Sequence, residues 1–496
     1  MSDRSRADAV YEALLERQGE RWVQPRVERT RRVLELLDDP QRTYRVVHVT
    51  GTNGKTSTSR IIESLVRAHG LRTGLFTSPH LERFTERILI DGEPVSDGAV
   101  ADAWDEIAPF VDLVDAELAA ADDAPLTFFE LLTVLAFVAF ADAPIDVLVL
   151  EVGMGGSWDS TNTADGDVAV FAPIDIDHAD RLGDTIREIA EVKAGIIKSG
   201  AAVVSARQDA AAAAVLRARA SAMDATIAFE GDQFALTDDR LAVGGQLIGV
   251  RGLAAVYSEQ YLPMFGGHQA QNAALAIAAV ESLIGGGTQP IAEDILAEGL
   301  AQATSPGRLQ LIGVNPTVIV DAAHNPHGAR ALAAALQGSF DFDEWGVVLG
   351  VLADKDAAGI VAGLAPIASH VFATAPDSAR ANDADHIADL AEAAGVSVTV
   401  HAGVADASES AREWASASAR RAVVIAGSVV LAGEAVRLAA EEDWKSGGPS
   451  EQARRKSPEG ASPARCGGVT GVDRARVRVD HRLPRRAGHL RSEGAS

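Results

Sequence analysis

A single cysteine, Cys466, stands in a chain of 496 residues. An intrachain disulfide is therefore impossible, and a reducing, cytoplasmic setting is expected. Long apolar runs are also missing. The longest, Leu131 to Ala141, falls well short of the roughly 20 residues of a membrane-spanning helix. The first residues mix acids and arginines without the apolar run of a signal peptide, so no membrane partner is expected. Lysine is scarce too, with six against 39 arginines, and before residue 445 only Lys55, Lys193, Lys198 and Lys355 occur. A chain that uses arginine almost everywhere keeps lysine where a compact ammonium or a nucleophilic amine is needed.

What is abundant is acid. The net charge of −25 hides a split: from Lys445 onward there are twelve Lys and Arg against five Asp and Glu, a balance of +7, which leaves the preceding body at −32. So acidic a body argues against nucleic acid as a partner. The stretch 445–496 is rich in Gly, Pro, Ser and Arg with little apolar periodicity, and reads as a disordered basic tail. A solvated extension, an out-of-frame readthrough, and an arm attracted to RNA or membrane are its alternative accounts. The 47% hydrophobic share supports real cores, and the length implies two or three domains.

The stretch Val46 to Ser57, VVHVTGTNGKTS, organises the rest. Apolar and β-branched residues suit a buried parallel strand. Gly51, Thr52, Asn53 and Gly54 then form a glycine-bracketed turn, followed by Lys55, Thr56, Ser57 and helically spaced Ile61, Ile62, Leu65 and Val66. These are the parts of a phosphate-binding loop, in which turn amides and a helix N-terminus face an anion and a lysine reaches the outer phosphates. Val49 stands where the common form has a glycine. The alternative is a plain glycine turn between strand and helix.

Around this loop the pattern alternates strand and helix to about Ala303, with a β-rich interruption between Ile227 and Tyr257. Two amphipathic helices, about Ala7 to Arg17 and Val27 to Leu37, precede the loop, joined by WVQPR. Strands are expected at Thr73 to Ser78, Arg87 to Ile90, Ile145 to Val152 and Val168 to Ile174, and helices at Asp97 to Ala120 and from Thr127 to about Ala141. A second run from Thr317 offers five strands, TVIVDA, WGVVLGV, HVFATA, VSVTVH and RAVVIAGS, each followed by an alanine-rich helical stretch. That is a doubly wound α/β pattern. Ser305-Pro306-Gly307 breaks both periodicities and marks a hinge. The expected division is 1–304, 305–444 and the tail 445–496.

Ligands of open parallel sheets sit beyond the carboxyl ends of the strands. Lys55, Ser78, Glu151 and His178 all fall at such ends and are expected to converge on one crevice. Phosphates at the loop imply magnesium, which takes oxygen ligands and keeps several waters. Glu151 and the Ser78 hydroxyl suit it; His178 is an unusual ligand for it, with a capping or hydrogen-bonding histidine as the alternative. Phe128 and Phe129 open a helix, where such rings are core more often than ligand-stacking.

The motifs GTNGKTS, TSPHL, ERI, TFFE, EVGMGG, DSTN, DIDHADRLG, KAGII, HQAQNAA, SPGRLQ, DAAHNPHG and DKD, in this order from Gly51 to Asp356, resemble folylpolyglutamate synthase, including its bifunctional dihydrofolate synthase form. The four-residue turn before Lys-Thr is the short variant typical of the Mur ligase superfamily. The resemblance spans about Ala7 to Ala440. It implies a Mur-ligase-type P-loop ATP-binding domain with a parallel central sheet, plus a smaller C-terminal α/β domain, with ATP between them. It assigns Ser78, Glu151 and His178 to magnesium. The loop residues Gly51 to Ser57, with Asn272, Arg308 and Asp321, fall to ATP. The pterin end falls to residues 23–26, to Thr127, Phe128, Phe129 and Glu130, and to Trp158, Asp159 and Ser160, with His324 also on substrate. Lys55, Glu151, His178 and Lys193 are the expected catalytic set, with Lys193 as a carbamylated magnesium ligand or, alternatively, a plain ammonium. The implied reaction joins L-glutamate to reduced folates or dihydropteroate through an acyl phosphate, in a monomer. Ser157 departs from the arginine usual after the glycine pair. The competing readings are a cell-wall Mur ligase and a non-enzymatic nucleotide switch.

Deleting residues 446–496 should leave ATP turnover and melting temperature unchanged. An appreciable loss of either contradicts the reading of that tail.

Overall fold

The computed structural model describes residues 2–18 and 26–445; the tail beyond Lys445 and residues 23–25 of the expected pterin stretch lie outside them. The first sheet takes β1 (Arg45–Thr50), β2 (Thr73–Phe76), β3 (Ile88–Ile90), β4 (Glu93–Pro94), β5 (Val147–Glu151), β6 (Val168–Phe171), β7 (Ala202–Ser205) and β8 (Thr226–Phe229). In space they run β4-β3-β2-β5-β1-β6-β7-β8. The six from β2 to β8 in that order pair in parallel, and β3 and β4 are antiparallel at one edge. Every residue of β2, β5 and β6 is buried, as the near-continuous Val, Leu and Phe runs require for a sheet covered on both faces.

One face is covered by α1 (Asp3–Leu15), α2 (Glu28–Leu36) and, beyond α3 (Lys55–Ala68), by α4 (Asp97–Ala120) and α5 (Phe128–Asp142). Thr127 and Glu130 cap α5 reciprocally, side chain to backbone in both directions, which fixes where this almost wholly apolar helix starts. A one-turn α6 (Ala179–Leu182), then α7 (Ile186–Lys193) and α8 (Ala210–Ala222), lie along the chain between β6 and β8, and α7 and α8 join the same core as β7. The β-rich interruption is a three-stranded antiparallel sheet of β9 (Ala235–Ala242), β10 (Gly245–Arg251) and β11 (Val256–Leu262), ordered β11-β10-β9. Between it and the first sheet runs α9 (Gly267–Gly285), buried nearly all round and sharing one core with α3 and α10 (Glu293–Gln302).

The second sheet starts earlier than the alternation predicts. A hairpin of β12 (Gln310–Val314) and β13 (Thr317–Val320), antiparallel and shifted in register at Leu311 and Gly313, opens it. The short glycine-containing QLIGV, soon after Ser305-Pro306-Gly307, carries too little periodicity to announce itself. The chain continues through α11 (Pro326–Ser339), β14 (Glu344–Leu349), α12 (Ala357–Leu364), β15 (Ala368–Ala373), α13 (Ala384–Ala393), β16 (Val398–Val400), α14 (Val404–Ser416), β17 (Arg421–Ala426) and α15 (Val429–Glu441). The order is β12-β13-β17-β14-β15-β16, parallel except for β12, with apolar cores on both faces. Among the described residues no helix is long and apolar enough to cross a membrane.

At the centre of the first sheet, on β1, His48 is completely buried and its Nε2 lies 3.0 Å from Thr161 Oγ1. Burial, reinforced by the charge of Lys198, pushes its pKa down to about 3. The unfolded chain therefore binds this proton between about pH 6.5 and 3 while the native state does not, so stability falls as pH falls through that window. Between pH 6.5 and 5 His48 should cost about 2 kcal/mol of unfolding free energy. Denaturant titrations of the wild type and His48→Gln at the two pH values test this: the variant should lose less on acidification, and an equal loss in both would contradict it.

Candidate functional site

A cavity of about 1280 Å³ opens beyond the carboxyl ends of β1, β5 and β6 and is walled on the far side by residues following β13, β14 and β17. Pockets for one small ligand run roughly 300–1,000 Å³, so this one has room for more than one substrate. Its first wall is the turn from Gly51 to Gly54. Gly51 (φ +150°) abuts β6: a Cβ there would lie 2.7 Å from Ala172 Cβ. Gly54 has φ +85°, and a Cβ would meet Asn272 Oδ1 at 2.6 Å. Only glycine permits this approach of backbone to α9 with a left-handed φ. α3 then begins at Lys55, so its N-terminus faces the cavity.

Glu151 ends β5 and is 1% exposed. Thr56 Oγ1 donates to its Oε1 at 2.9 Å, whereas Oε2 is buried without a hydrogen-bond partner. Burial pushes the carboxyl pKa up, opposed by the Lys55 ammonium and the Thr56 hydroxyl. An orphaned carboxylate oxygen beside a lysine is costly unless a cation takes it. Ser78 and His178 line the same cavity. His178 holds a left-handed φ of 51° at the head of α6, and burial keeps its pKa at about 4, so it is neutral and able to donate a lone pair. Among the described residues no cluster of three or more His, Cys, Asp or Glu forms a metal cage. One carboxylate, one hydroxyl and one imidazole suit magnesium, a hard ion that retains water and needs few protein ligands.

Lys55 Nζ donates to Thr52 O at 3.2 Å, and burial lowers its pKa. Lys193, at the end of α7 and 4% exposed, donates from Nζ to Gly51 O at 2.9 Å. Burial, then the charge of Lys55, brings its pKa down to about 7. Of the four lysines before residue 445, Lys55, Lys193 and Lys355 line the cavity; Lys198 lies elsewhere, bonded to Asn162 O and paired with Asp165.

The other expected residues divide by what their polar atoms do. Asn272, Arg308, Asp321, His324 and Ser57 reach the cavity. Asp321 nevertheless gives one oxygen each to the backbone amides of Leu309 and Ala323, holding the turn after Ser305-Pro306-Gly307. Ser57 Oγ lies 2.9 Å from Ser305 Oγ. His324 Nδ1 faces Ala322 O at 2.9 Å, which sets the proton on Nδ1 and leaves Nε2 as an acceptor. At the opposite end Thr127, Phe129, Glu130, Trp158, Asp159 and Ser160 form the wall. Glu130 accepts from Arg26 as well as from the Thr127 amide, and Asp159 accepts from the amides of Met154 and Thr161. Phe128 is not part of this wall: it is 4% exposed in the core below, because the helical phase turns it inward while Phe129 faces Gly153. Ser157 is exposed and packs on Gly195 rather than facing the cavity. Sequence reasoning left Asp177, Arg87, Lys355, Arg380 and Ser428 unassigned, although all five line the cavity. Four of them stand inside stretches already noted, Arg87 in ERI, Asp177 in DIDHADRLG, Lys355 in DKD and Ser428 in RAVVIAGS, but only Lys355, through the scarcity of lysine, was singled out as a residue.

Residues 49–280 match the Mur ligase middle domain and residues 307–429 the Mur ligase, glutamate ligase domain. The chain is 43% identical to a dihydrofolate synthase/folylpolyglutamate synthase of Mycobacterium tuberculosis over 455 residues, covering 86% of this chain and 93% of that one. The fold is similar to a Mycobacterium tuberculosis folylpolyglutamate synthase complexed with ADP (TM-score 0.84, 42% identity, 88% of this chain and 99% of that one). It is also similar to Escherichia coli FolC in complex with DHPP and ADP (TM-score 0.76, 28% identity, 88% and 98%). A phosphate loop, an orphaned carboxylate and two α/β sheets around one cavity thus coincide with these likenesses: the chain belongs to the dihydrofolate synthase/folylpolyglutamate synthase family of Mur ligases.

Proposed function

We propose that this protein is an ATP-dependent amide-forming ligase that adds L-glutamate to reduced folates and to dihydropteroate. The observation that carries the reading is the buried, unpartnered Glu151 Oε2 beside Thr56 and Lys55 in a cavity shared by both sheets. The glycine turn and the N-terminus of α3 hold the phosphates of ATP, and Asn272, Arg308 and Asp321 stand at its far side. Glu151, Ser78 and His178 hold magnesium, which when bound neutralises charge on the transferring phosphoryl group. Lys55 places its ammonium where that charge develops. The substrate carboxylate takes the γ-phosphoryl group of ATP, giving an acyl phosphate and ADP; the amine of L-glutamate then attacks the acyl carbon, phosphate leaves, and the amine loses a proton. Thr127, Phe129, Glu130 and Trp158 to Ser160 border the pterin end, and His324 the amino-acid side. Enclosure between the two sheets keeps water from the acyl phosphate. A cytoplasmic setting, supported by the single cysteine, and a monomeric state complete the reading.

ATP turnover with L-glutamate and, in turn, dihydropteroate, tetrahydrofolate or a UDP-muramyl substrate tests it. Turnover with either pterin compound and none with the muramyl compound is expected; the reverse would make the protein a cell-wall ligase.

Lys193 adds a chemical expectation. With a pKa of about 7 much of its amine is uncharged at neutral pH and can add carbon dioxide, releasing a proton and leaving an anionic carbamate oxygen beside Gly51. Protein equilibrated with ¹³C-bicarbonate should show a carbamate carbon resonance that Lys193→Ala lacks, and short carboxylates should restore part of that variant's activity. Absence of the resonance at pH 8, with no rescue, leaves Lys193 as a plain ammonium.

A further inference from the structure

The phosphate turn is bonded to its surroundings by side chains as well as backbone. Thr52 N donates to Pro173 O at 2.8 Å, and its hydroxyl exchanges bonds with the Asp175 backbone at 2.9 and 3.0 Å. Thr52 therefore ties the turn to the loop after β6. Asn53, next along, reaches across the cavity instead. Its Nδ2 is 3.0 Å from His327 Nδ1 and donates to it, and its Oδ1 accepts from Asn325 Nδ2 at 3.1 Å. Both ends of this amide are thus bonded to the first turn of α11, on the second sheet.

Asn325 is no incidental partner. It is 6% exposed, caps α11 by accepting from Gly328 N at 2.8 Å, and also donates to Asp177 Oδ2 at 3.3 Å. Asp177 Oδ1 in turn lies 3.6 Å from Lys355 Nζ. Asn325 directly follows His324 in the chain, so whatever fixes Asn325 also fixes the cavity wall that His324 occupies.

We propose that Asn53, although set in the phosphate turn, is a positioning residue for the amino-acid substrate: its side chain clasps Asn325 and His327 and so holds the His324 wall in register with the phosphates. This rests on the ligase reading above. An alanine at position 53 keeps the backbone N–H that a phosphate would use and removes only the clasp. The nucleophilic amine must approach the acyl carbon to about 3–3.5 Å, and a displacement of about 1 Å costs on the order of a hundredfold. A slackened wall therefore acts on amine delivery, whereas the turn still binds nucleotide.

The test compares wild type, Asn53→Ala, His327→Ala and the double variant by three measurements: melting temperature, Kd for ADP by calorimetry, and KM for L-glutamate at saturating ATP and pterin substrate. Expected for Asn53→Ala is a rise of about tenfold or more in KM for L-glutamate, with Kd for ADP within about threefold of wild type. His327→Ala, at an exposed position, should keep the wild-type melting temperature and raise that KM less, about threefold, with Kd for ADP unmoved. The double variant should be no worse than Asn53→Ala, because the two share one bond. A tenfold weakening of ADP binding with KM for L-glutamate little changed would make Asn53 a phosphate ligand and overturn the proposal. So would unchanged values for both variants, or additive losses. Wild type that turns over neither pterin compound with L-glutamate sinks the ligase reading itself, and the proposal with it, since there would be no amine to position.

Discussion

Everything at this site depends on keeping charged groups ionised where burial favours their neutral forms. Glu151 at the end of β5 and Lys55 at the start of α3 are each pushed by burial toward their neutral forms, and each is pulled back by the other. Such mutual support adds little net stability, but removing one member leaves the other without the charge that opposes its burial. The parallel sheet makes the arrangement possible. It delivers a carboxylate and a helix N-terminus to adjacent strand ends, and β1 and β5 are neighbours in perfect register from Arg45 opposite Val147 to Val49 opposite Glu151. Lys193 and His178 complete the set from the β6 side, and both are driven toward neutrality by burial. A site of mixed neutral and charged groups, held by rigid elements, is prepared for phosphoryl chemistry before any substrate arrives.

Much of this was legible in the sequence because strand ends obey a simple rule. Lys55, Ser78, Glu151 and His178 each follow an apolar run, and residues so placed in a parallel sheet share one edge. The start of α5 at Thr127 was equally plain, ahead of an apolar run. What stayed hidden depended on side-chain direction and on partners far away in the chain. Phe128 and Phe129 are adjacent at a helix start, and only the helical phase decides that one is core and the other faces the cavity. Asp321 and Asp159 read as ligand-facing carboxylates, yet backbone amides occupy oxygens of both. The hairpin strand β12 was missed because five residues with a glycine carry no clear period, and Arg87 because its motif ERI reads as the start of a strand and does not show which way the side chain points.

The two halves of the molecule meet through polar atoms around the cavity. Ser57 with Ser305, Asn53 with Asn325, and Asp177 with Lys355 all join residues from the two sides. Leu81, three residues after Ser78, also packs against the second sheet's core, where a Cβ on Gly433 would come within 2.1 Å of its carbonyl oxygen. The glycine turn, the β6-side loop and the far wall are therefore tied to one another by side chains, which suits chemistry in which an activated carboxylate must meet an amine before water does.

The most direct test of the central claim is crystallographic. Crystals grown with ADP and manganese, a magnesium substitute that scatters anomalously, should show one anomalous peak within coordination distance of Glu151 Oε2 and Ser78 Oγ, with the diphosphate in the Gly51 to Lys55 turn. An anomalous peak away from Glu151, or a nucleotide bound outside that turn, would contradict the account.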